Sequence, residues 1–458
     1  MESIHGDHMT NLHEYLMRNY SKYVRPVQNN SDILNVKFGL KLIQIDDVNA
    51  KSQIIQTHVY ALHEWQDHSL IWSPEDFGGI DYIHISNDLI WKPDLVLYNN
   101  ADGDFHITSK AKVFIRYDGT VNWNPPMIYK SYCAINIRHY PFDEQNCTLK
   151  FGTWTYSGSL VNLQFINNDQ LSVIERGWDL EDYMPSIEWE ILDLTAFRHE
   201  IIYACCAEIY LDLTFTCVMQ RKSLFYTINL ILPCMNISIL CVLVFLLPSD
   251  SRKKITLSIS ILVALLVFYL LLIESIPPTS FVMPLLGKYL LFTLVLVNLS
   301  IITTIITLNV HFSRRPTSSV PLLLRNILLV YLPKLLLMRR PSNLSELGDT
   351  TRKSSSMHEN ERQTRRSLRM TASRVASIAQ QMNNLKNEKE IVEEWRFIAL
   401  TFDRLFLIIF TSVTLICTLE SFRHIPSLYK PASSINPICY TYYPPIDDVQ
   451  WLRICNTI

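Results

Sequence analysis

CAINIRHYPFDEQNC, residues 133–147, sets two cysteines around a Tyr-Pro-Phe-Asp turn with thirteen residues between them. Whether the pair can close depends on its compartment, because disulfides persist outside the cell and are rare in the cytosol. Up to about residue 223 the chain mixes charges, aromatics and short alternating runs. Beyond it lie four long apolar segments, 224–248, 255–273, 289–310 and 397–419. Each meets the rough requirement of ~20 apolar residues for crossing a bilayer, whereas buried helices of a soluble core would carry charges every few residues. The loop PSDSRKK after the first segment, and Arg314, Arg315, Arg325, Lys334, Arg339 and Arg340 after the third, place these loops inside. An even number of spans then leaves both termini outside, so a Cys133–Cys147 disulfide is permitted.

The whole chain has 458 residues, a net charge of -2 and 48% hydrophobic content. That is too long for one compact domain and slightly too apolar for an ordinary soluble enzyme. The opening MESIHGDHMT has no apolar h-region, so the secretory signal that an exterior domain implies is expected to have been trimmed or to lie before this start. A helix is predicted over NLHEYLMRNY, residues 11–20. VKFGLKLIQI, QIIQTHVYALHEW, AKVFIRYD and EIYLDLTFTCV then alternate apolar and polar residues between turn signals, which is the spacing of a β-sandwich. Trp65, Trp72, Trp91 and Trp123 fall in strand-like runs and are read as sandwich core.

The predicted fold is multidomain: an extracellular all-β sandwich plus a four-helix transmembrane bundle with a cytosolic helical and disordered segment. The boundaries are 1–223 for the extracellular β domain, 224–310 for the first three membrane helices, 311–395 for the cytoplasmic loop, 396–419 for the fourth helix and 420–458 for an extracellular tail. Within the loop, residues 318–340 form an amphipathic stretch suited to the inner leaflet, 341–368 reads as disordered, and a charged helical pattern over 370–398 leads into the fourth span. Asp403 and Arg404 are expected to pair near its start. Asn29 and Asn146 head Asn-X-Ser/Thr triplets on the exterior side and are candidate glycan sites; Asn236 and Asn298 lie inside spans. Cys439 and Cys455 form a candidate second bridge in the tail, while Cys217, Cys234, Cys241 and Cys417 are read as packing thiols.

YACCAEIY, residues 203–210, sets two adjacent cysteines between tyrosines. Neighbouring cysteines can close only a strained ring, so this is a stiffened loop tip rather than a staple. The thirteen-residue Cys loop around YPFD, a preceding β domain and four following spans resemble the Cys-loop family of pentameric ligand-gated channels. The Tyr-X-Cys-Cys run is similar to that of its alpha-type nicotinic acetylcholine receptor subunits, invertebrate-like in this case, over about residues 11–420. WKPDLVLYNNAD (91–102), FGTWTYSGS (151–159) and YACCAEIY look like the three principal loops of the transmitter site.

The resemblance implies an agonist cage of Tyr98, Trp154, Tyr203 and Tyr210, closed by a loop stiffened by Cys205–Cys206. A quaternary ammonium offers no N–H to hydrogen-bond, so ring faces must hold it, at about 0.5–2 kcal/mol per well-placed ring. Asp94 is read as a turn-stabilising carboxylate beside the site. The complementary face on a neighbouring subunit is expected at Tyr60, Phe114, Asn122 and Asn124, wetter than usual. The carboxylates of 175–190 are read as a solvated loop, with attraction of cations to the site as the other reading. Coupling is expected to run through Tyr140, Pro141, Phe142 and Asp143, then Arg221 and Pro277. The family's usual acid opposite the arginine is replaced by Ala50, leaving Asp46, Asp47 or Asp143 as candidate partners.

Thr256, Ser260, Val263, Val267, Leu270 and Glu274 follow at alternating steps of four and three, so they share one helix face. Hydroxyls at one end, branched apolar groups in the middle and a carboxylate at the other suit a pore with a dewetting gate. A helix-packing or lipid-facing stripe is the competing reading. Lys253, preceded by Arg252, stands at the inner mouth where cation-selective relatives usually carry a glutamate. Expected partners are therefore acetylcholine or a related quaternary ammonium, other nicotinic-type subunits supplying the inner carboxylates of a pentamer, membrane lipids and permeant ions. A non-conducting assembly subunit, or gating by choline or betaine, are the alternatives. The expected setting is the plasma membrane, multi-pass, at synaptic, neuronal or muscle surfaces. No metal, cofactor or nucleic acid is expected. GxSxG, P-loop, HExxH and four-Cys zinc patterns are missing from the sequence, so no enzyme reading is supported.

Overall fold

The computed structural model describes residues 2–105, 109–166, 172–204, 208–248, 253–276, 282–312, 327–336 and 363–423. These divide into two units, described separately: the chain through Thr227 together with Leu272–Leu286, and Ile228–Leu271 with Gly287–Arg423.

The first unit opens with helix α1 (Glu2–Met17), earlier at both ends than its predicted 11–20. Leu12 and Leu16 are buried, and the helix stops before Tyr20 because that phenol is drawn into the β domain. Its Oη donates to Asp67 Oδ2 (2.8 Å) and accepts from the Trp91 N–H (2.9 Å). Thirteen strands follow: β1 (Leu34–Asn49), β2 (Ile54–Gln66), β3 (Tyr82–Ile85), β4 (Leu95–Leu97), β5 (Val113–Arg116), β6 (Thr120–Trp123) and β7 (Pro126–Tyr132); then β8 (Glu144–Thr153), β9 (Val161–Phe165), β10 (Val173–Ile174), β11 (Trp178–Asp179), β12 (Trp189–Ile202) and β13 (Ile209–Arg221).

One sheet runs β11-β1-β2-β6-β5-β3, with β9 on β1 and β7 on β2; the other runs β10-β12-β13-β8-β4. Strand β2 shows why the chain folds this way: every second residue from Ile55 to Trp65 is buried, so one face of the strand belongs to the core. Phe38 of the first sheet meets Phe151 and Phe215 of the second at 4.8 and 5.8 Å between ring centroids, and all three are essentially inaccessible. Trp65, Trp72, Trp91 and Trp123 are buried as expected of core. The Cys133–Cys147 disulfide is formed, and it joins the end of β7 in one sheet to β8 in the other.

The second unit is helical. Among the described residues, four helices are long and apolar enough to cross a membrane, within Leu224–Leu246 (α2), Lys254–Ser275 (α3), Leu285–His311 (α4) and Gln363–Arg423 (α5). The first is not uniform. A wide turn spans Thr227–Ile231 just before Pro233, whose missing N–H cannot bond back to the preceding turn. Helix α5 continues from its charged half into its apolar half without a break. Val242, Phe245, Leu296 and Phe410 make a buried cluster among α2, α4 and α5.

The expected Asp403–Arg404 pair does not form. Lys254 Nζ reaches Asp403 Oδ1 at 2.7 Å with both groups buried, while Arg404 is exposed. Successive residues on a helix point about 100° apart, so one side chain of an adjacent pair turns inward and the other outward.

Candidate functional site

In the five-stranded sheet β12, β13, β8 and β4 are consecutive neighbours, and an aromatic side chain stands on or beside each at one end. The register pairs Asp212 with Gly152 and Leu213 with Phe151, so Tyr210 continues level with Trp154, just past the end of β8. Tyr203 follows β12, whose last pair is Ile202 with Ile209. Its ring lies 5.9 Å from that of Tyr210, and the Tyr98 and Trp154 rings are 6.3 Å apart, both edge-to-face. Trp154 is 68% exposed, an unusual amount of bare indole. Burial chiefly, then the neighbouring Tyr203, Asp212, Asp94 and Tyr210, raises the pKa of the Tyr98 phenol, which therefore stays neutral.

Each ring is held. Tyr98 Oη donates to the Thr153 carbonyl (2.8 Å), laying the ring across Gly152. An added Cβ there would come within 2.5 Å of Tyr98 Cζ and Oη, so residue 152 must be glycine for the ring to lie where it does. The Trp154 N–H donates to the Asp94 carbonyl (3.2 Å), and Asp94 Oδ2 accepts from the Thr155 N–H (2.7 Å) and hydroxyl. Asp94 thus fixes the turn that carries Trp154, as expected of it. Below the rings, Lys150 Nζ lies 3.1 Å from the nearly inaccessible Asp212 and 5.8 Å from the Tyr98 ring centroid. His199 Nδ1 and Thr214 Oγ1 each lie 2.9 Å from Asp212 Oδ1. The sequence reading did not single out Gly152, Lys150, Asp212 or His199; the alternation of strands β8, β12 and β13 is the signal that could have put them on the ring-bearing face. Cys205 and Cys206 lie outside the described residues.

Tyr60, Phe114 and Asn122 share the outward face of the eight-stranded sheet, each half-buried, on β2, β5 and β6. Phe114 pairs with Asn122, and Asn122 with Glu64, four residues along β2 from Tyr60. Asn124 is exposed just beyond β6, next to the Pro125 carbonyl that accepts from the Ala61 N–H (3.1 Å). These residues lie in a different sheet from the four rings. Asn29 and Asn146 are exposed.

At the other end of the five-stranded sheet, Arg221 is 7% exposed and meets two acids. Its Nε and Nη2 donate to Asp143 at 2.8 and 3.2 Å, and its Nη1 donates to Glu188. The guanidinium carbon lies 4.3 Å from the Trp189 ring, 5.2 Å from Tyr140 and 5.6 Å from Tyr226. Burial pulls the Arg221 pKa down, and the hydrogen bonds and charges of Asp143 with the charge of Glu188 more than offset it, so the arginine remains a cation. Of the three candidate acids, Asp143 is the partner, and Glu188, read from sequence as part of a solvated or cation-attracting loop, is the second. Asp46 instead accepts from Gln56 (3.2 Å). Tyr140 and Pro141 are buried, joined by a cis peptide, and Phe142 is half-buried. The Arg138 carbonyl of the same loop accepts from the Leu285 N–H (3.0 Å) within this unit. Pro277, Cys439 and Cys455 are outside the described residues.

Lys253, just before α3, and Thr256, Ser260, Val263, Val267, Leu270 and Glu274 on it are all exposed, while Lys254, Ser258, Ile261, Leu265 and Leu272 are buried. Ile259, Leu266, Leu271 and Ile273 are exposed as well, so exposure alone does not single out the graded stripe.

A β-sandwich with a bridged loop at one end, followed by four spans, defines a receptor-channel architecture. Residues 9–223 match the neurotransmitter-gated ion-channel ligand binding domain, and residues 230–371 and 344–422 match the neurotransmitter-gated ion-channel transmembrane region. The chain belongs to the neurotransmitter-gated ion-channel family, whose members are channels and not enzymes. It is 41% identical to the acetylcholine receptor subunit alpha-type unc-63 of Caenorhabditis elegans, over 91% of this chain and 93% of that one. It is 41% identical to an acetylcholine receptor subunit alpha-like of Manduca sexta, over 95% and 94%. A subunit beta-like 2 of Drosophila melanogaster is also 41% identical, over 93% and 89%. Another acetylcholine receptor subunit of Drosophila melanogaster, alpha-like 2, is 50% identical over 73% of this chain and 58% of that one.

Proposed function

We propose that this chain is the principal, agonist-binding subunit of a nicotinic-type channel gated by acetylcholine or a related quaternary ammonium. The observation that carries the reading is the gathering of Tyr98, Trp154, Tyr203 and Tyr210 at one end of one sheet, with Trp154 exposed. Ring faces are negative and attract a cation that offers no N–H, and Trp is the strongest of them. Asp212 and Asp94 add negative charge beside the rings, and Lys150 neutralises part of it. The 203–210 loop closes over the cation, and tighter binding to the open conformation shifts the population toward it. A neighbouring subunit completes the site with its counterparts of Tyr60, Phe114, Asn122 and Asn124. The Asp143–Arg221–Glu188 cluster, at the far end of the ring-bearing strand β13, passes the change toward the first span.

The stripe from Thr256 to Glu274 lines the pore. Lys253, exposed at its inner end, opposes cation entry, so the working channel is a cation-conducting heteromer whose partners supply inner carboxylates. The same lysine motivates the second reading, an agonist-binding subunit that does not line the conduction path. Whole-cell current separates them, recorded with this subunit alone and with acid-mouthed nicotinic partners under acetylcholine, choline and betaine. Current only in mixtures, lost with Trp154→Ala and altered in selectivity by Lys253→Glu, supports the first. Binding with selectivity that Lys253→Glu leaves untouched in every assembly supports the second.

A further inference from the structure

Ile187 is 96% exposed, more than any other large apolar side chain among the described residues. It stands in the segment between β11 and β12, where Met184 is 59% exposed. An isolated surface isoleucine needs no explanation. This one is held in place by its neighbours. The Lys222 N–H donates to the Glu188 carbonyl and Lys222 Nζ to the Ser186 carbonyl, both at 2.8 Å. Tyr226 Oη donates to Glu188 Oε1 (2.8 Å), and Arg221 donates to the same oxygen. The Met184 N–H, on the other side, donates to the Ile43 carbonyl (2.8 Å). The residues flanking Ile187 are thus bonded to Arg221, Lys222 and Tyr226, and the first membrane-spanning helix begins at Leu224. Ile187 is pinned level with the first turn of that helix, where Leu224 and Phe225 are 72% and 68% exposed.

We propose that the 184–187 tip is a membrane-contacting element of the β domain, with Ile187 and Met184 seated at the boundary between headgroups and acyl chains beside the first span. The occupant is a phospholipid surface, on the leaflet facing the β domain. Three features fit it. The apolar tip continues a surface that already enters the bilayer at Leu224 and Phe225. Of the acids flanking the tip, Glu188 is engaged by Arg221 and Tyr226, and Asp182, two residues before Met184, pairs with Lys41 at 2.7 Å, so each carboxylate is matched by a cation. Lys222 supplies a cation at headgroup height, where lysine favours phosphate. Because Glu188 follows Ile187 directly, lipid seating of the tip bears on the same loop that holds Arg221.

The test is photocrosslinking of the full-length receptor in phosphatidylcholine vesicles doped with phosphatidylserine, with p-benzoyl-phenylalanine placed at position 187. Ile416, exposed in the fourth span, serves as the in-membrane control and Ile128, exposed on β7, as the aqueous one. The expected result is a 187 peptide heavier by one phospholipid, in yield close to the 416 control and several-fold above the 128 control. A covalent link from 187 to another receptor chain overturns the proposal, because a neighbouring subunit then covers the tip. So does an unmodified 187 peptide from vesicles in which position 416 has captured lipid.

Discussion

Alanine at Gly152 adds one methyl where Tyr98 crosses the strand, 2.5 Å from Cζ and Oη and 2.8 Å from Cε2. Non-bonded carbons settle at about 3.5–4.0 Å, so the ring end must retreat by about 1 Å. Strand β8 cannot yield instead, because Gly152 is paired with Asp212 on one side and Val96 on the other. The retreat breaks the Tyr98 hydrogen bond to Thr153, worth about 0.5–1.5 kcal/mol. It also pulls one ring out of contact with a bound ammonium, worth about 0.5–2 kcal/mol. The hydrogen bond is lost from free and bound receptor alike and falls on stability; the ring contact falls on binding, and at about 1 kcal/mol it lowers agonist affinity roughly fivefold. The moving group is the far end of a side chain, so folding should be preserved. Equilibrium displacement of a labelled quaternary ammonium on membranes reads the affinity, and thermal unfolding of the solubilised receptor reads the fold. Tyr98→Phe removes only the hydroxyl and should cost about 1 kcal/mol of stability. The double variant should fall short of the sum, because both changes act through one hydrogen bond. Wild-type affinity in a folded Gly152→Ala receptor whose Trp154→Ala counterpart has lost binding would show that Tyr98 is not a wall of the site.

The remaining predictions concern charge. Asp143→Asn strips the bidentate partner from a buried guanidinium and should destabilise the receptor by about 3–5 kcal/mol. Glu188→Gln, at a half-exposed carboxylate, should cost under about 1 kcal/mol; thermal unfolding that ranks them the other way refutes the assignment. Asp403→Ala leaves the Lys254 ammonium buried without its partner and should sharply reduce surface expression, with the exchange Lys254→Asp/Asp403→Lys recovering most of it. An exchange no better than either single change means the pair does not organise these helices. Burial lowers the pKa of His63 from its ordinary 6.5 to about 4, where its Nδ1–H donates to the Ala61 and Trp123 carbonyls. The unfolded chain then takes up its proton first as pH falls, so stability drops between pH 6.5 and 4, by about 3 kcal/mol, and is flat below. His63→Gln should remove that part of the pH dependence. Burial pushes the Cys217 thiol up to about 12, so maleimide should modify it only after denaturation.

Much of the fold was legible because its signals are local. Alternation in 53–65 became β2, the cysteines at 133 and 147 became a bridge between sheets, and the apolar segments became membrane-length helices. The rings of the candidate cage were legible through their motifs. Their supports were not: Gly152 is conspicuous only once a tyrosine from another strand lies across it. The early end of α1 likewise depends on a distant acid, Asp67, drawing Tyr20 away.

By itself the sequence determined residue chemistry and periodicity: which faces are apolar, which loops are basic, and where aromatics and cysteines recur. Only the tertiary structure decided which charges meet. Three acids were equally eligible for Arg221 in sequence, yet Asp143 and the unconsidered Glu188 hold it, 78 and 33 residues away along the chain. Asp403 had a cation for its neighbour and turned to Lys254 instead. The physical reason is that local patterning follows from dihedral periodicity within a segment. An ion pair needs two side chains brought within about 4 Å, which is set by how separate strands and helices pack.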